Sequence, residues 1–230
     1  MTPNLQTGRP KAVVIGIWIL LSGLTGCPSH PLAPEWQGNA QSALKSFTSA
    51  YLSGQTRLAE QDFEEARYQI ASTGRADLIA KAELVRCATR VASLEFDGCA
   101  GFAPIAQDAG AAERSYAAYL TGRWQEVDVA LLPPQHRAVA SAAAGADLPA
   151  LLRLMEDPLA RLVAAGALLR SGRMVPAGSI IASDTASAQG WRRPLLAWLG
   201  VQLRGARQAG DSATVLALER RIALATSASN

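Results

Sequence analysis

The chain has 230 residues, with 22 Lys and Arg against 19 Asp and Glu, a formal net charge of +3, and 49% hydrophobic residues. This composition excludes a disordered polyelectrolyte, and the length permits a buried core. With two histidines and three cysteines and no CxxC pattern, a histidine zinc site and a thioredoxin-like redox centre both lack their ligands or thiols.

In chain order, the first feature is an export pattern. Arg9 and Lys11 precede AVVIGIWILLSGL, Ala12 to Leu24, a charge-free apolar run. A secretory signal has this layout, whereas a spanning helix needs about 20 apolar residues. The run closes on LTGC, Leu24 to Cys27, which resembles the lipobox of bacterial lipoprotein precursors. That resemblance implies lipidation of the Cys27 thiol, cleavage before it, and acylation of the new amine by palmitate or a similar chain. It also implies a protein that faces the periplasm from the membrane. Pro28, rather than the Asp that signals inner-membrane retention in the family, points to the outer membrane. An ordinary cleaved signal, leaving the protein free in the periplasm, is the alternative.

The division expected is a signal peptide over 1–26, a Pro-rich tether over 27–34, and a helical domain over 35–230. Removing 1–26 takes away Arg9 and Lys11 and no acid, so 20 basic residues face 19 acidic ones. The basic bias belongs to the export signal, and no nucleic-acid partner is expected. CPSHPLAP, Cys27 to Pro34, holds three prolines and reads as a spacer.

Beyond Glu35, apolar segments end at glycine: Gly54, Gly74, Gly122, Gly145, Gly172 and Gly210. Glycine just past an apolar-periodic run is a helix stop. Ala80, Leu84, Cys87, Val91 and Leu94 fall on one helical face, as do Leu195, Trp198, Leu199, Leu203 and Ala206, and then Val215, Leu218, Ile222 and Ala225. The expected fold is all-α, built of stacked αα-hairpins as a degenerate helical repeat or an irregular bundle. The glycine spacings, 20, 48, 23, 27 and 38, keep no fixed period. The last unit, from Pro194, is similar to a tetratricopeptide-type pair. The whole resembles proteobacterial lipoproteins with a helical, Ala-rich body, a resemblance that brings no activity with it.

With Cys27 lipidated, Cys87 and Cys99 remain as an even pair in an oxidising compartment. If the helix carrying Cys87 runs to about Phe96, the chain must fold back over it within three residues. A bridge is feasible there and contributes on the order of 3 kcal/mol. Two buried thiols are the alternative.

Chemistry is sparse. His30 and His136 have no HxxxH companion, and His136, following Pro133 and Pro134, reads as a polar residue in a helix's first turns. Glu60 to Glu65, EQDFEE, reads as a solvated face with Arg57 and Arg67 nearby. No GxSxG, P-loop or dinucleotide turn is present, and no cofactor or metal is expected. QGWRRP offers Trp191, Arg192 and Arg193 as a partner surface, since Trp and Arg are enriched in binding hot spots. Alternatively, Trp191 plugs the core at the entry to the last helix pair. These readings give a lipid-anchored, non-catalytic interaction or scaffold module with an envelope protein partner. A cell-envelope hydrolase with an unrecognised carboxylate site is the alternative.

Overall fold

The computed structural model describes residue 1 and residues 34–227. The signal segment, Cys27 and nearly all of the tether lie outside the described residues. Two short turns set the first hairpin and its neighbour. Helix α1, Glu35–Leu52, turns at Gly54 into α2, Thr56–Ala71, and α3, Ala76–Ala92, follows after Gly74. A long connection with a 3-10 turn at Ala103–Asp108 leads to α4, Ala111–Thr121. Two further 3-10 turns, Trp124–Glu126 and Val129–Leu131, precede the short helices α5, Pro134–Ala140, and α6, Leu148–Leu154. Then come α7, Pro158–Arg170, α8, Pro176–Ala188, α9, Arg192–Gln208, and α10, Ser212–Ser227. No strand occurs among the described residues.

The expected glycine stops all have positive φ, and Gly122 illustrates their work. At φ 76° it lets Arg123 donate to the carbonyl of Ala118 and Gly122 to that of Tyr119, closing α4 with a Schellman motif. Gly145 is different, lying in the connection between α5 and α6 rather than at a helix end. α3 makes the same closure without glycine. Leu94 takes φ 61°, Leu94 donates to Val91 and Glu95 to Arg90. The helix therefore stops at Ala92, earlier than the Phe96 expected from its apolar pattern, and the return to Cys99 has more chain than that reading allowed.

Pattern explains position in the core. α7, PLARLVAAGALLR, is apolar on nearly every face, and Leu162 to Leu168 are all buried. It packs on α3, α4, α5, α6 and α8. Its start is fixed by Asp157, whose carboxylate accepts from the Ala160 amide, with Pro158 at the first helical position. α3 is the second hub, touching α1, α2, α4 and α7. One core lies around α3, α4, α7, α8 and α9, and a smaller one, with Phe47, Tyr51 and Phe63, lies between α1, α2 and α3.

The last three helices are progressively less covered. α9 buries Trp198 and Leu199, and the Trp198 indole donates to the Ala92 carbonyl at 3.2 Å. α10 buries only Leu218 and leaves Leu216 and Leu224 exposed. The fold is thus an all-α stack of contacting hairpins. No described helix is long and apolar enough to cross a membrane.

Candidate functional site

Cys87 on α3 and Cys99 on the return loop are joined at disulfide distance, with Cα atoms 5.1 Å apart. Both are buried. The Asp97 carboxylate accepts from the Cys99 amide at 2.9 Å and helps hold Cys99 at φ 58°. The loop then brings Gly101 against Glu83, where a Cβ would stand 2.0 Å from Oε2, so the residue has no room for a side chain. Glu83 is 2% exposed and pairs with Arg67. Burial raises its carboxyl above the ordinary range, against the pull of the Arg67 and Arg86 guanidinium groups.

Around this joint, Arg86 bonds Glu60 at 2.9 Å, and Arg90 reaches Asp97 at 3.2 Å and Glu95 at 3.7 Å. Glu60 therefore ties α2 to α3, while Glu64 and Glu65 stay on the exposed face. Glu83 and Asp97 share a cavity of about 150 Å³ with the disulfide. Ligand sites usually occupy about 300–1,000 Å³. In this small cavity each carboxylate is matched by an arginine, Glu83 by Arg67 and Asp97 by Arg90, and the pairs hold three chain segments together.

His136 lies in the first turn of α5, as expected, and faces the interior. It is 1% exposed, with its ring centroid 5.1 Å from that of Tyr119 and 5.6 Å from that of Tyr116. Tyr119 in turn meets Trp124 edge-on at 5.4 Å, and Arg173 covers the indole at 4.7 Å. The His136 Nδ1 and Tyr119 hydroxyl are buried without a hydrogen-bond partner. Burial lowers the imidazole to about 4, against a weaker upward pull from Asp157. The ring is neutral at pH 7 and packs as an aromatic plug behind the Pro133 and Pro134 corner.

The expected partner surface at Trp191, Arg192 and Arg193 is largely used inside the body. Trp191 is half-buried against the main core, as the plug alternative requires. Arg193 is not solvated. Its Nε donates to the Tyr51 carbonyl at 2.7 Å, and its other nitrogens donate to Glu95 at 3.1 Å and Thr56 at 2.6 Å. The guanidinium also lies 4.1 Å from the Tyr51 ring centroid. Arg192 leans over Gly54, where a Cβ would come within 2.8 Å of its Nη2. These residues dock the end of the chain onto its first hairpin. They were singled out for composition, and composition does not separate an interdomain-like joint from an external hot spot.

A larger concavity lies elsewhere, in residues of which the sequence stripes included only Ala206. α8, α9 and α10 run up, down and up, joined by short turns at Gly190 and Gly210. Asp184 and Arg221 bridge the C-terminal halves of α8 and α10 at 3.7 Å. Toward their N-terminal ends a cleft of about 580 Å³ opens over the C-terminal half of α9. Met174, Val175 and Ile180, Val201 and Ala206, and Arg204, Asp211 and Thr214 are among its lining residues. Val175 and Ile180 are exposed, 41% and 49%. Gln202 and Ser179 also line it, and Gln202 donates to the Ser179 carbonyl and Ser183 hydroxyl, fixing α9 on α8. Among the described residues no group of three His, Cys, Asp or Glu is placed to hold a metal. No family model matches the chain, and no curated protein or solved structure matches it.

Proposed function

We propose that the chain is a lipid-anchored envelope protein, held in the membrane by acyl chains on Cys27 and facing the periplasm as a helical interaction module. The observation that carries this reading is LTGC at the end of a charge-free apolar run that starts after Arg9 and Lys11. The Cys87 and Cys99 pair at disulfide distance supports an oxidising compartment. A body of contacting helix pairs supports binding rather than chemistry, because such stacks present extended surfaces without a catalytic group. Two or more acyl chains give stable anchoring at about 0.8 kcal/mol per buried methylene. Pro28 supports outer-membrane delivery, and the partner is an envelope protein.

The test is metabolic labelling with a palmitate analogue. The native chain is expected to carry label and to run as a processed form, and Cys27→Ala is expected to accumulate as unlabelled precursor. Label retained by Cys27→Ala would remove the anchor from the reading.

A further inference from the structure

We infer that residues 129–141 form a flap that acid releases, with His136 as its pin, and that its opening uncovers the tyrosine face of α4. The segment is tied at its two ends. At one, the Ser115 hydroxyl of α4 accepts from the Asp128 amide and donates to the Asp128 carbonyl, both at 2.9 Å. At the other, Arg173 donates to the Ala142 carbonyl at 2.6 Å. Between these ties the hydrogen bonds of 129–141 close within 128–142, and no ion pair joins the segment to the other described residues. Its middle is held by side-chain packing, through the buried Leu132, His136 and Val139. A stretch with so few buried groups and no cross-links of its own opens at lower cost than the whole body. A cavity of about 380 Å³ runs along its edge, with Leu131, Leu132, Pro133 and Pro134 of the flap, Leu84 of α3 and Tyr116 of α4 among its lining residues.

Of the three buried side chains only the imidazole can gain a charge, and its buried Nδ1 has no hydrogen-bond partner to receive one. α4 presents to it the rings of Tyr116 and Tyr119. The start of α7 presents Asp157, whose carboxylate already accepts from the Ala160 amide at 2.5 Å. The other charges of these helices are engaged elsewhere, Glu113 with Lys81, Arg114 with the Ala109 carbonyl, Arg161 with Thr185 and the Met155 carbonyl, and Arg170 over the Phe96 ring. On α6 and its cap, Arg153 and Asp147 are exposed, and the 3-10 turn Val129–Leu131 has no titratable side chain. On α5 itself, Arg137 donates to the Leu132 carbonyl, inside the flap. Burial therefore outweighs the pull of Asp157 and holds the imidazole down at about 4 in the closed flap. In the open flap the ring meets water and titrates near its ordinary value, about 6.5. Protons favour the open form as pH falls from about 6.5 to about 4, by up to about tenfold per pH unit and about 300-fold in all, and the effect levels off below.

The experiment follows amide hydrogen exchange in the full-length chain in lipid nanodiscs by mass spectrometry between pH 7 and 4.5, with each rate divided by the intrinsic rate at that pH. Amides of 129–141 are expected to be less protected than those of the hub helices α3 and α7 at every pH, and their protection to fall on the order of 50-fold across the range. Pulsed hydroxyl-radical oxidation of Tyr119, buried in the closed form, is expected to rise with the same pH dependence. His136→Phe keeps a ring and removes the titration, so its flap protection is expected not to change with pH. Val139→Ala is expected to loosen the flap at every pH and to keep the acid dependence, which a merely structural role for His136 would not separate from the first variant. Flap amides that exchange only together with α3 and α7 overturn the inference, as does a fall that survives in His136→Phe or disappears in Val139→Ala. So does a Tyr119 that oxidises no faster while the flap loses protection.

Discussion

A Cβ placed on Gly166 of α7 would stand 2.4 Å from the backbone carbonyl oxygen of Val91 on α3 and 2.8 Å from its Cγ1. The two hub helices cross with backbone against side-chain-free backbone, and everything arranged around them depends on that approach. Gly166→Ala therefore gains helix propensity, about 1 kcal/mol, but forces the hubs apart. Overpacking of this kind typically costs about 1–3 kcal/mol, so a net loss is expected in denaturant titration. Gly38→Ala on α1 is the control, because nothing lies within 4 Å of its added carbon. It is expected to stabilise by up to about 1 kcal/mol. Equal effects of the two substitutions would contradict the close crossing.

Acid should weaken the body through His136. Its imidazole titrates at about 4 when folded, against about 6.5 in an unfolded chain. Between those values the unfolded state binds the extra proton, so stability falls as pH drops from about 6.5 to 4 and levels off below. At about 1.4 kcal/mol per pH decade, the loss is on the order of 3 kcal/mol. The groups that face this ring are Tyr116 and Tyr119 from α4 and Asp157 from the start of α7. Stability measured across this range should show that slope in the native chain and lose it in His136→Phe. A slope unchanged in His136→Phe would place the acid sensitivity elsewhere.

Arg193 should matter more than its neighbour. Arg193→Ala removes three hydrogen bonds and the contact with the Tyr51 ring. Charge-assisted bonds of this kind contribute about 1.5–3 kcal/mol, and a loss of that size is expected. Amide exchange at the end of α1 should quicken in parallel. Arg193→Lys should rescue little, since an ammonium cannot make the forked contact. Arg192→Ala, at a guanidinium that only leans over Gly54, should stay within about 0.5 kcal/mol.

The Cys87 and Cys99 bridge closes a separation of 12 residues. Replacing both by Ala should cost about 3 kcal/mol and free the loop that carries Gly101 to Glu83. Alkylation of the denatured but unreduced body should find neither thiol, and reduction beforehand should expose both. Two thiols modified without reduction would contradict the bridge.

Helix class and half of the α-helix stops were legible in the sequence because they rest on local physics. Apolar spacing marked α3, α9 and α10, and glycines able to take positive φ marked the stops of α1, α2, α4, α7 and α9. Where the stop was Leu94, no residue preference announced it, because the strain of that conformation is carried by packing of the side chain on the core. The cysteine pair was also legible, by count and reach. The cleft was not, since Ala206, the one lining residue on a predicted apolar stripe, reads the same whether or not a neighbouring helix covers it.

By itself, then, the sequence determined an all-helical body after an apolar run that ends in LTGC, because periodicity, turn residues and a cysteine's position are written in short stretches. Only the tertiary structure decided that Arg193 meets Tyr51, that His136 is an interior ring, and that the start of α8 and the end of α9 line one cleft. Each depends on which distant segment arrives at a given face. A local pattern specifies the face but not its occupant.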